Sequence, residues 1–250
     1  MISRPLGSIG ASSIGTLFTK QELKAKSAQS KALELAEELV NGQRKELTTI
    51  AMQHGIFNEE EAFNLCVKPN WKNAKYQSSE SIHIQGELYA TPDVVVPEEC
   101  VIDIKCPYTI DSFFKNFESV SKNYLAQLQC QMLATELPKG ILLFYLTSTR
   151  IDEYGNKIEF EIPIQDRVKL IEIPRDEEMC GEIITRVDGL MEMRDTIYKY
   201  LCNADLVGDV EFFDLHKYNK VTRYKDKSNL LAWGGKLVRN AGTYYTIEPK

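Results

Sequence analysis

The stretch Ala90-Thr-Pro-Asp-Val-Val-Val-Pro-Glu-Glu-Cys-Val-Ile-Asp-Ile-Lys-Cys-Pro107 decides how the rest of the chain is interpreted. It contains two short apolar runs, Val94–Val96 and Val101–Ile104, of the kind found in interior strands. The proline and the two glutamates between them predict a short turn. The stretch is therefore expected to form two adjacent strands joined by a turn.

The stretch contains two carboxylates and one lysine, Asp93, Asp103 and Lys105, at a spacing that would suit a metal-dependent phosphodiesterase. Carboxylates bind Mg²⁺, and a pair of such ions can neutralise a phosphate and activate a water molecule. Lys105 follows Asp103 by two residues, so both side chains lie on one face of a strand, where the ammonium would orient the attacking water. The backbone carbonyl of Ile104 would be a further metal ligand.

The same spacing of these residues also occurs by chance in ordinary surface hairpins, whose charges are solvated and bind no metal. Asp103, however, interrupts an otherwise apolar strand. An unpaired carboxylate is costly in such a place, and a bound metal ion would relieve that cost. The metal site is therefore the preferred interpretation.

The 250-residue chain is 43% apolar and 26% charged, as expected of a globular protein with one sizeable domain and an appendage. No apolar run approaches the roughly 20 residues of a membrane span, and the first residues have no signal-peptide layout. Its six cysteines are scattered, without a Cys-x-x-Cys pair. This predicts free thiols in a cytoplasmic protein and argues against a zinc or iron–sulphur site.

Charge is distributed unevenly along the chain. The net charge is −6, but Leu215–Lys250 carries eight Lys or Arg and two acidic residues, which leaves −12 for the remainder. The composition shift near Ala204 predicts a domain over residues 1–203 and a basic, aromatic appendage over 204–250. The appendage would be either a surface on which single-stranded bases stack or a small β module.

Hydrophobic periodicity predicts strands flanked by helices before and after, which is a mixed α/β (α+β) fold around a central sheet. Helices are expected over residues 20–40, 46–52, 59–67 (capped by Asn58), 119–135 and 175–201. Strands are expected over residues 82–90, 94–96, 101–104, 141–146, 158–164 and 168–173. No Gly-rich phosphate loop is present.

Several motifs of the chain resemble those of a known family. Pro92-Asp93 followed by Asp103-Ile-Lys105 resembles the core of the PD-(D/E)xK nuclease superfamily. The run Asp103-Ile-Lys-Cys-Pro-Tyr-Thr109 is similar to Glu-Leu-Lys-Cys-Pro-Phe-Thr of the phage lambda exonuclease, or YqaJ-like viral recombinase, family. Asp103 thus stands where that family has the longer glutamate.

Three flanking segments strengthen the resemblance and follow the family's order along the chain. Gly55-x3-Glu59-x2-Ala62 is similar to its helix with the first acidic residue. Tyr124-x2-Gln127-Leu-Gln-x2-Met132 resembles its Tyr-x2-Gln-Val-Gln-x2-Met helix. Gly10-Ala-Ser-Ser-Ile14 is similar to its Thr-Ala-Ser segment.

The resemblance implies a restriction-endonuclease-like fold and a complete hydrolytic site. By that resemblance two Mg²⁺ ions, for which Mn²⁺ can substitute, would be held by Asp93, Asp103, Glu59 and the Ile104 carbonyl. Lys105 and Gln127 would complete the catalytic set.

The resemblance also implies partners and a reaction. Ser12, Ser13, Arg4 and Tyr124 would contact DNA, although Arg4 is one residue away from the position of the family's arginine. The enzyme would degrade one strand of linear duplex DNA from the 5′ end, leaving a 3′ single-stranded tail for a strand-annealing protein. The family further implies a ring-shaped homotrimer around the DNA.

Two alternatives remain open at this point. One is another PD-(D/E)xK nuclease, either an endonuclease or an enzyme of the iron–sulphur type. The other is a non-catalytic protein that binds DNA ends on the same scaffold.

Overall fold

The computed structural model describes residues 4–20, 22–44, 48–76, 80–152 and 154–202, together with four short strand segments between residues 209 and 248. The chain forms two compact units. The first contains residues Gly10–Gly15 and Glu46–Ile184, and the second contains Pro5–Ile9, Thr16–Lys45 and the chain from Thr185 onward. All of the candidate site residues after residue 46 belong to the first unit.

The helices within these ranges are α1 (Lys26–Asn41), α2 (Ile50–Ala62), α3 (Ile110–Glu118), α4 (Lys122–Thr135) and α5 (Glu177–Cys202). A π-helical turn, Phe63–Val67, follows α2 directly, and 3-10 turns cover Ala11–Leu17, Glu22–Lys24 and Ile164–Asp166. None of the helices in the described part of the chain is long and apolar enough to cross a membrane.

The strands are β1 (Ile9–Gly10), β2 (Lys75–Tyr76), β3 (Ile82–Gln85), β4 (Leu88–Ala90), β5 (Val94–Val96), β6 (Cys100–Lys105), β7 (Lys139–Tyr145), β8 (Thr149–Ile151), β9 (Lys157–Glu159) and β10 (Val168–Pro174). Five of them form the central sheet in the order β10-β7-β6-β5-β2. β6 and β7 are parallel, and the other neighbours are antiparallel. The sheet is therefore mixed in strand direction, and the α/β fold around a central sheet is as the sequence predicted.

Strands β5 and β6 form the predicted hairpin. Val94 lies opposite Ile102 and Val96 opposite Cys100, so the register brings Asp93, just before β5, beside Asp103. The turn contains Glu98 in the left-handed region, with φ 64°. The hairpin therefore brings the two carboxylates together.

Alternation along β6 divides its side chains between two cores of the first unit. Cys100, Ile102 and Ile104 pack with Ala62 and Val67, which come from α2 and the π-helical turn. Val101 belongs instead to the core formed with α3 and α4. Since Asp103 and Lys105 share the face of Val101, they are directed toward the helix layer that contains α4.

Several predicted boundaries were wrong. The strand expected over residues 82–90 is a hairpin, β3 and β4, that turns at Gly86 with φ 55°. The strand expected over residues 158–164 is limited to β9 and is followed by a 3-10 turn. The helix expected over residues 20–40 is α1, which begins only at Lys26 and ends at Asn41, with Gly42 in the left-handed conformation.

The segment expected as two helices, with Asn58 as a cap, is one helix. Thr49 caps α2 by accepting a hydrogen bond from Met52 N at 3.2 Å. Asn58 is a buried internal residue whose side chain donates to His54 O at 2.6 Å. The asparagine thus bonds to the preceding turn instead of starting a helix.

In the second unit, α1 and α5 each contribute a buried charged residue that binds the segment around Gly7. The Gly7 N–H donates to Glu38 Oε2 at 3.0 Å, and Arg194 Nη1 donates to Gly7 O at 2.7 Å. Gly7 has φ 75°, a conformation that strains residues with a side chain.

Between residues 209 and 248, four described strands form an antiparallel sheet in the order β11 (Asp209–Val210), β13 (Gly235–Arg239), β14 (Tyr245–Glu248) and β12 (Arg223–Tyr224). The aromatic residues predicted to form a stacking surface are Tyr218, Tyr224, Trp233, Tyr244 and Tyr245, and of these Tyr218, Trp233 and Tyr244 lie outside the described residues. The domain boundary near Ala204 also falls outside them and stays a prediction.

Candidate active site

Asp103 lies at the centre of the site and is completely buried. Its Oδ1 accepts two hydrogen bonds from α4, one from Gln127 Nε2 and one from Gln131 Nε2, each at 2.9 Å. Its Oδ2 forms an ion pair with Lys105 Nζ at 2.7 Å. These contacts compensate the burial of the carboxylate and fix its orientation.

Asp93 is joined to the same strand through the backbone. Its Oδ2 accepts a hydrogen bond from Ile104 N at 2.7 Å. Burial, together with the charge of Asp103, raises the pKa of Asp93 well above its ordinary value, and Lys105 only partly offsets this. Within the described part of the chain, Asp93 Oδ1 accepts no hydrogen bond.

Lys105 contacts three other residues of the site, Asp103, Gln127 and Tyr124. Besides its ion pair with Asp103, its Nζ donates to Gln127 Oε1 at 3.2 Å and lies 5.1 Å from the centre of the Tyr124 ring. Burial alone would lower its pKa, but Asp103 and Asp93 raise the pKa of Lys105 overall. Lys105 is therefore a permanent ammonium group at neutral pH, and its chemistry is electrostatic rather than that of a base.

Glu59 lies on α2, nine residues after the helix begins at Ile50. The adjacent acidic residues Glu59–Glu61 are therefore not first-turn residues that balance a helix dipole. Burial raises the pKa of Glu59 to about 7, while Lys105 lowers this pKa and Asp103 raises it to smaller extents. Glu59 thus responds to the charges of the site.

The pKa of Glu59 makes a prediction for the stability of the metal-free protein. Folded Glu59 holds its proton up to about pH 7, whereas its ordinary pKa is 4.5. The folded state therefore binds more protons in this interval, and the free energy of unfolding falls as the pH rises through it. The measurement is the difference in Tm between about pH 5 and about pH 8, with a chelator present. We expect this difference to be a few degrees smaller in Glu59→Gln than in the wild-type protein.

The exposed neighbour Glu60 supplies the control for that measurement. Glu60→Gln should leave the pH dependence as it is in the wild-type protein. Some dependence should survive in Glu59→Gln, because Asp93 has a raised pKa and acts in the same direction. Identical pH dependence of Tm in Glu59→Gln and wild type would contradict the assignment.

Gln131 is a residue of the site that the sequence did not identify. It lies one helical turn after Gln127, is completely buried, and bonds the same carboxylate oxygen. The sequence could have indicated Gln131 by its position between Cys130 and Met132, on the apolar part of α4. A buried glutamine at such a position needs a polar partner.

We expect Gln131→Leu to lower the rate of DNA cleavage about tenfold, because Asp103 loses one of the two amide donors that orient it. Gln129→Leu is the matched control on the same helix. Gln129 bonds Pro174 O and Asp176 N and does not contact Asp103, so this variant should lower Tm but keep cleavage at low temperature. Equal losses of cleavage in the two variants would show that Gln131 acts only through stability.

The donor set suits a hard divalent cation in its chemistry. Asp93, Asp103 and Glu59 are oxygen donors, and burial, with a smaller contribution from the charge of Asp103, raises the pKa of Asp93 and Glu59 despite the nearby Lys105. No three His, Cys, Asp or Glu side chains of the described ranges, however, are gathered into a ready-made metal cage. The residues therefore suit a divalent cation by their chemical type and charge, but they do not form a closed metal site among the described residues.

The predicted DNA-contacting residues near the N-terminus lie on and before a 3-10 turn. Ser12 and Ser13 lie inside this turn, which begins at Ala11. A side chain at Gly15 would lie 2.7 Å from Asn123 Cα, so the turn packs closely against the start of α4. Arg4 lies beside Gly10. The predicted contacts of these residues with DNA stay predictions.

The cysteines act as buried apolar groups. All six are free thiols, and only Cys202 is exposed. Burial, followed by the neighbouring carboxylates, raises the pKa of Cys106, which packs in the core behind β6. Cys106 is therefore a packing residue and not a nucleophile.

Comparisons with known proteins agree with this geometry. The model of the YqaJ-like viral recombinase domain matches residues 3–138. No curated protein is similar enough in sequence to be matched.

Solved structures with the same fold include nucleases. An alkaline exonuclease from Laribacter hongkongensis is 22% identical, with TM-score 0.66, over 80% of this chain and 94% of that chain. The structure of the same exonuclease in complex with dAMP is 23% identical, with TM-score 0.65, over 80% of this chain and 94% of that chain. A phage-related exonuclease from Haemophilus somnus 129PT is 22% identical, with TM-score 0.67, over 78% of this chain and 96% of that chain.

Proposed function

Since this chain belongs to the YqaJ-like viral recombinase family, we propose that it is a Mg²⁺-dependent exonuclease that degrades one strand of linear duplex DNA. The observation that carries the proposal is the joining of Asp93, Asp103, Lys105 and Gln127 by hydrogen bonds and an ion pair at the ends of β5 and β6. Membership of a recombinase family agrees with a DNA substrate, and the fold shared with two exonucleases agrees with hydrolysis.

Asp93, Asp103, Glu59 and the Ile104 carbonyl would hold two Mg²⁺ ions, with Mn²⁺ as a substitute. When bound, such ions lower the pKa of a water molecule and neutralise charge on the phosphate. Gln127 and Gln131 keep the Asp103 carboxylate in one orientation, which sets the direction of its ligand oxygens.

Lys105 contributes a fixed positive charge next to the reacting phosphate. Its ammonium, held between Asp103 and Gln127, can donate a hydrogen bond to the attacking water or to a phosphate oxygen. Because its pKa is raised, it stabilises the negative charge that develops in the transition state without changing its own protonation.

The finer features of the reaction are part of the same proposal. We assign 5′-to-3′ polarity and a 3′ single-stranded tail that an annealing protein receives, as in phage-type homologous recombination. A homotrimeric ring around the DNA would keep the enzyme on its substrate. The Laribacter hongkongensis exonuclease binds dAMP, the kind of mononucleotide that an exonuclease releases.

One assay tests the proposal against its rivals. Linear duplex DNA labelled at either the 5′ or the 3′ end of one strand is incubated with and without Mg²⁺, beside a covalently closed circle. We expect release of mononucleotides from linear DNA only, only with Mg²⁺, and with the 5′ label lost first. Cleavage of the closed circle would indicate an endonuclease, and binding without cleavage would indicate an end-binding protein.

A further inference from the structure

A second cationic position lies close to the candidate site. Arg150, on β8, stacks on Tyr108, with its guanidinium carbon 4.7 Å from the ring centre, and lies 6.0 Å from the ring of Phe160. The residue is partly exposed, but its Nε is buried and has no hydrogen-bond partner in the described part of the chain. A guanidinium held on an aromatic face is oriented but still able to bind an anion.

The acidic residue nearest along the chain, Asp152, forms no ion pair with this guanidinium. Hydrogen bonds from Asn156 are the main cause that lowers the pKa of Asp152, and the charge of Arg150 is the last and smallest cause. Its Oδ1 accepts hydrogen bonds from the backbone N–H groups of Tyr154 and Asn156, and its Oδ2 accepts one from Asn156 Nδ2 at 3.0 Å. No carboxylate of the described residues forms an ion pair with Arg150. The fold therefore orients a cation here without supplying its counter-ion.

The stacking partner is itself held firmly. The Tyr108 hydroxyl donates to Ile151 O at 2.7 Å, and His54 packs edge-on against the ring at 5.4 Å. Asn58 Nδ2, which can only donate, faces His54 Nδ1 at 3.3 Å, so the imidazole is neutral with its proton on Nε2. Burial and then Arg150 lower the pKa of His54, in agreement with this state. Arg150 is thus the cation of this cluster.

Strand topology places this cluster at the same edge of the sheet as the candidate site. β6 and β7 are parallel, with Lys105 opposite Phe144. Tyr108 follows Lys105 by three residues, at most about 11 Å of extended chain. Arg150 follows the end of β7, so both residues lie beyond the carboxyl ends of the two parallel strands, where ligands of such sheets bind.

We propose that Arg150, supported by Tyr108, binds a backbone phosphate of the DNA strand whose end lies at Asp93, Asp103 and Lys105. A planar guanidinium matches the oxygens of a phosphate through two parallel N–H donors. This second anchor fixes the strand relative to the reacting phosphodiester. The inference rests on the proposed exonuclease function and adds a substrate contact to it.

The test compares Arg150→Ala with Lys157→Ala, its matched control. Lys157 lies on β9, in the same hairpin, and its ion pair with Glu159 is exposed, so its loss removes one positive charge without disturbing the cluster. We expect Arg150→Ala to bind a short duplex with a single-stranded end about tenfold more weakly in a chelator. The slope of log Kd against log salt should fall by about 0.7 to 0.9, while Lys157→Ala should match wild type.

Replacing single phosphates of the strand by uncharged methylphosphonates locates the contact. The wild-type protein should lose affinity at one position near the end, and Arg150→Ala should lose no further affinity at that position. Arg150→Lys should fall between wild type and Arg150→Ala, because it keeps the charge but loses the stacked plane. Melting curves of all variants show whether they are folded.

The outcomes separate this inference from the proposed function. If the wild-type protein degrades linear DNA while Arg150→Ala keeps its KM, salt slope and methylphosphonate profile, the phosphate contact is refuted and the exonuclease stands. If the wild-type protein neither binds nor degrades DNA, both fail. A raised KM with unchanged kcat in Arg150→Ala supports a role in binding rather than in chemistry.

Discussion

Replacing Asp103 by Asn is expected to lower the rate of DNA cleavage by at least about a thousandfold, a loss of roughly 4 kcal/mol of transition-state stabilisation. Asparagine has nearly the same shape, but it carries no charge for a metal ion. In either orientation of its side chain, asparagine must also direct its NH₂ group toward donors. These are the Lys105 ammonium in one orientation and the two glutamine amides in the other. The variant therefore loses both the ligand charge and part of the network.

The measurement is the rate of mononucleotide release from linear duplex DNA at saturating Mg²⁺. Asp111→Asn is the control, since Asp111 is an exposed carboxylate on α3, paired only with Lys115. A second readout is the rise of Tm on adding Mg²⁺, which Asp103→Asn should lose and Asp111→Asn should keep. Mg²⁺-dependent cleavage by Asp103→Asn within tenfold of wild type would refute the role of Asp103.

Asp103→Glu separates the charge of this residue from its length. The YqaJ-like resemblance of the sequence places a glutamate at this position, and here the shorter aspartate is reached by Gln127 and Gln131 from α4. One added methylene would displace the carboxylate from these donors in a fully buried place. We therefore expect cleavage between that of wild type and Asp103→Asn.

The hairpin that carries the site was predictable because two simple rules act on it. Short β-branched runs form interior strands, and alternation places Asp103 and Lys105 on one face, as the structure confirms. The position of Glu59 was also predictable from its motif, but its setting was not. The sequence suggested a helix that starts at Asn58, whereas hydrogen bonds between Asn58 and His54 make the asparagine internal to α2.

Contacts between elements that are distant in the sequence could not be predicted from local sequence patterns. Gln131 joins the site because α4 crosses the face of β6. Its partner Asp103 lies 28 residues earlier in the sequence. Arg150 stacks on Tyr108 across 42 positions of the chain because β6 and β7 are parallel and end together. Neither residue belongs to a local motif, so only the packed fold reveals what each one contacts.

The electrostatic balance of the site follows from these contacts. Three carboxylates, Asp93, Asp103 and Glu59, lie within electrostatic reach of one ammonium, Lys105. Burial is the main cause that raises the pKa of Asp93 and Glu59, and repulsion from Asp103 adds to the rise. A divalent cation would remove that repulsion, whereas loss of Lys105 would increase it. The two kinds of residue should therefore respond oppositely when metal binding and cleavage are measured separately.

Replacing Lys105 by Met is expected to reduce cleavage by about a hundredfold to a thousandfold while leaving metal binding at least as strong as in wild type. Methionine keeps much of the length and apolar stem but removes the ammonium that faces Asp103 and Gln127. Without that charge, the carboxylates attract Mg²⁺ more strongly, but nothing stabilises the charge that develops on the reacting phosphate. The rise of Tm on adding Mg²⁺ should thus be preserved or enlarged.

Two further variants make this prediction sharp. Lys105→Arg keeps the charge, but its planar fork cannot occupy the space of a compact ammonium between Asp103, Gln127 and the Tyr124 ring, so it should recover little cleavage. Lys115→Met, at an exposed lysine of α3, controls for the loss of one charge and should cleave normally. If Lys105→Met loses the Mg²⁺-dependent rise of Tm together with cleavage, Lys105 acts by maintaining the site. If it loses cleavage alone, the ammonium acts on the transition state, because ground-state assembly of the carboxylates and metal is then intact.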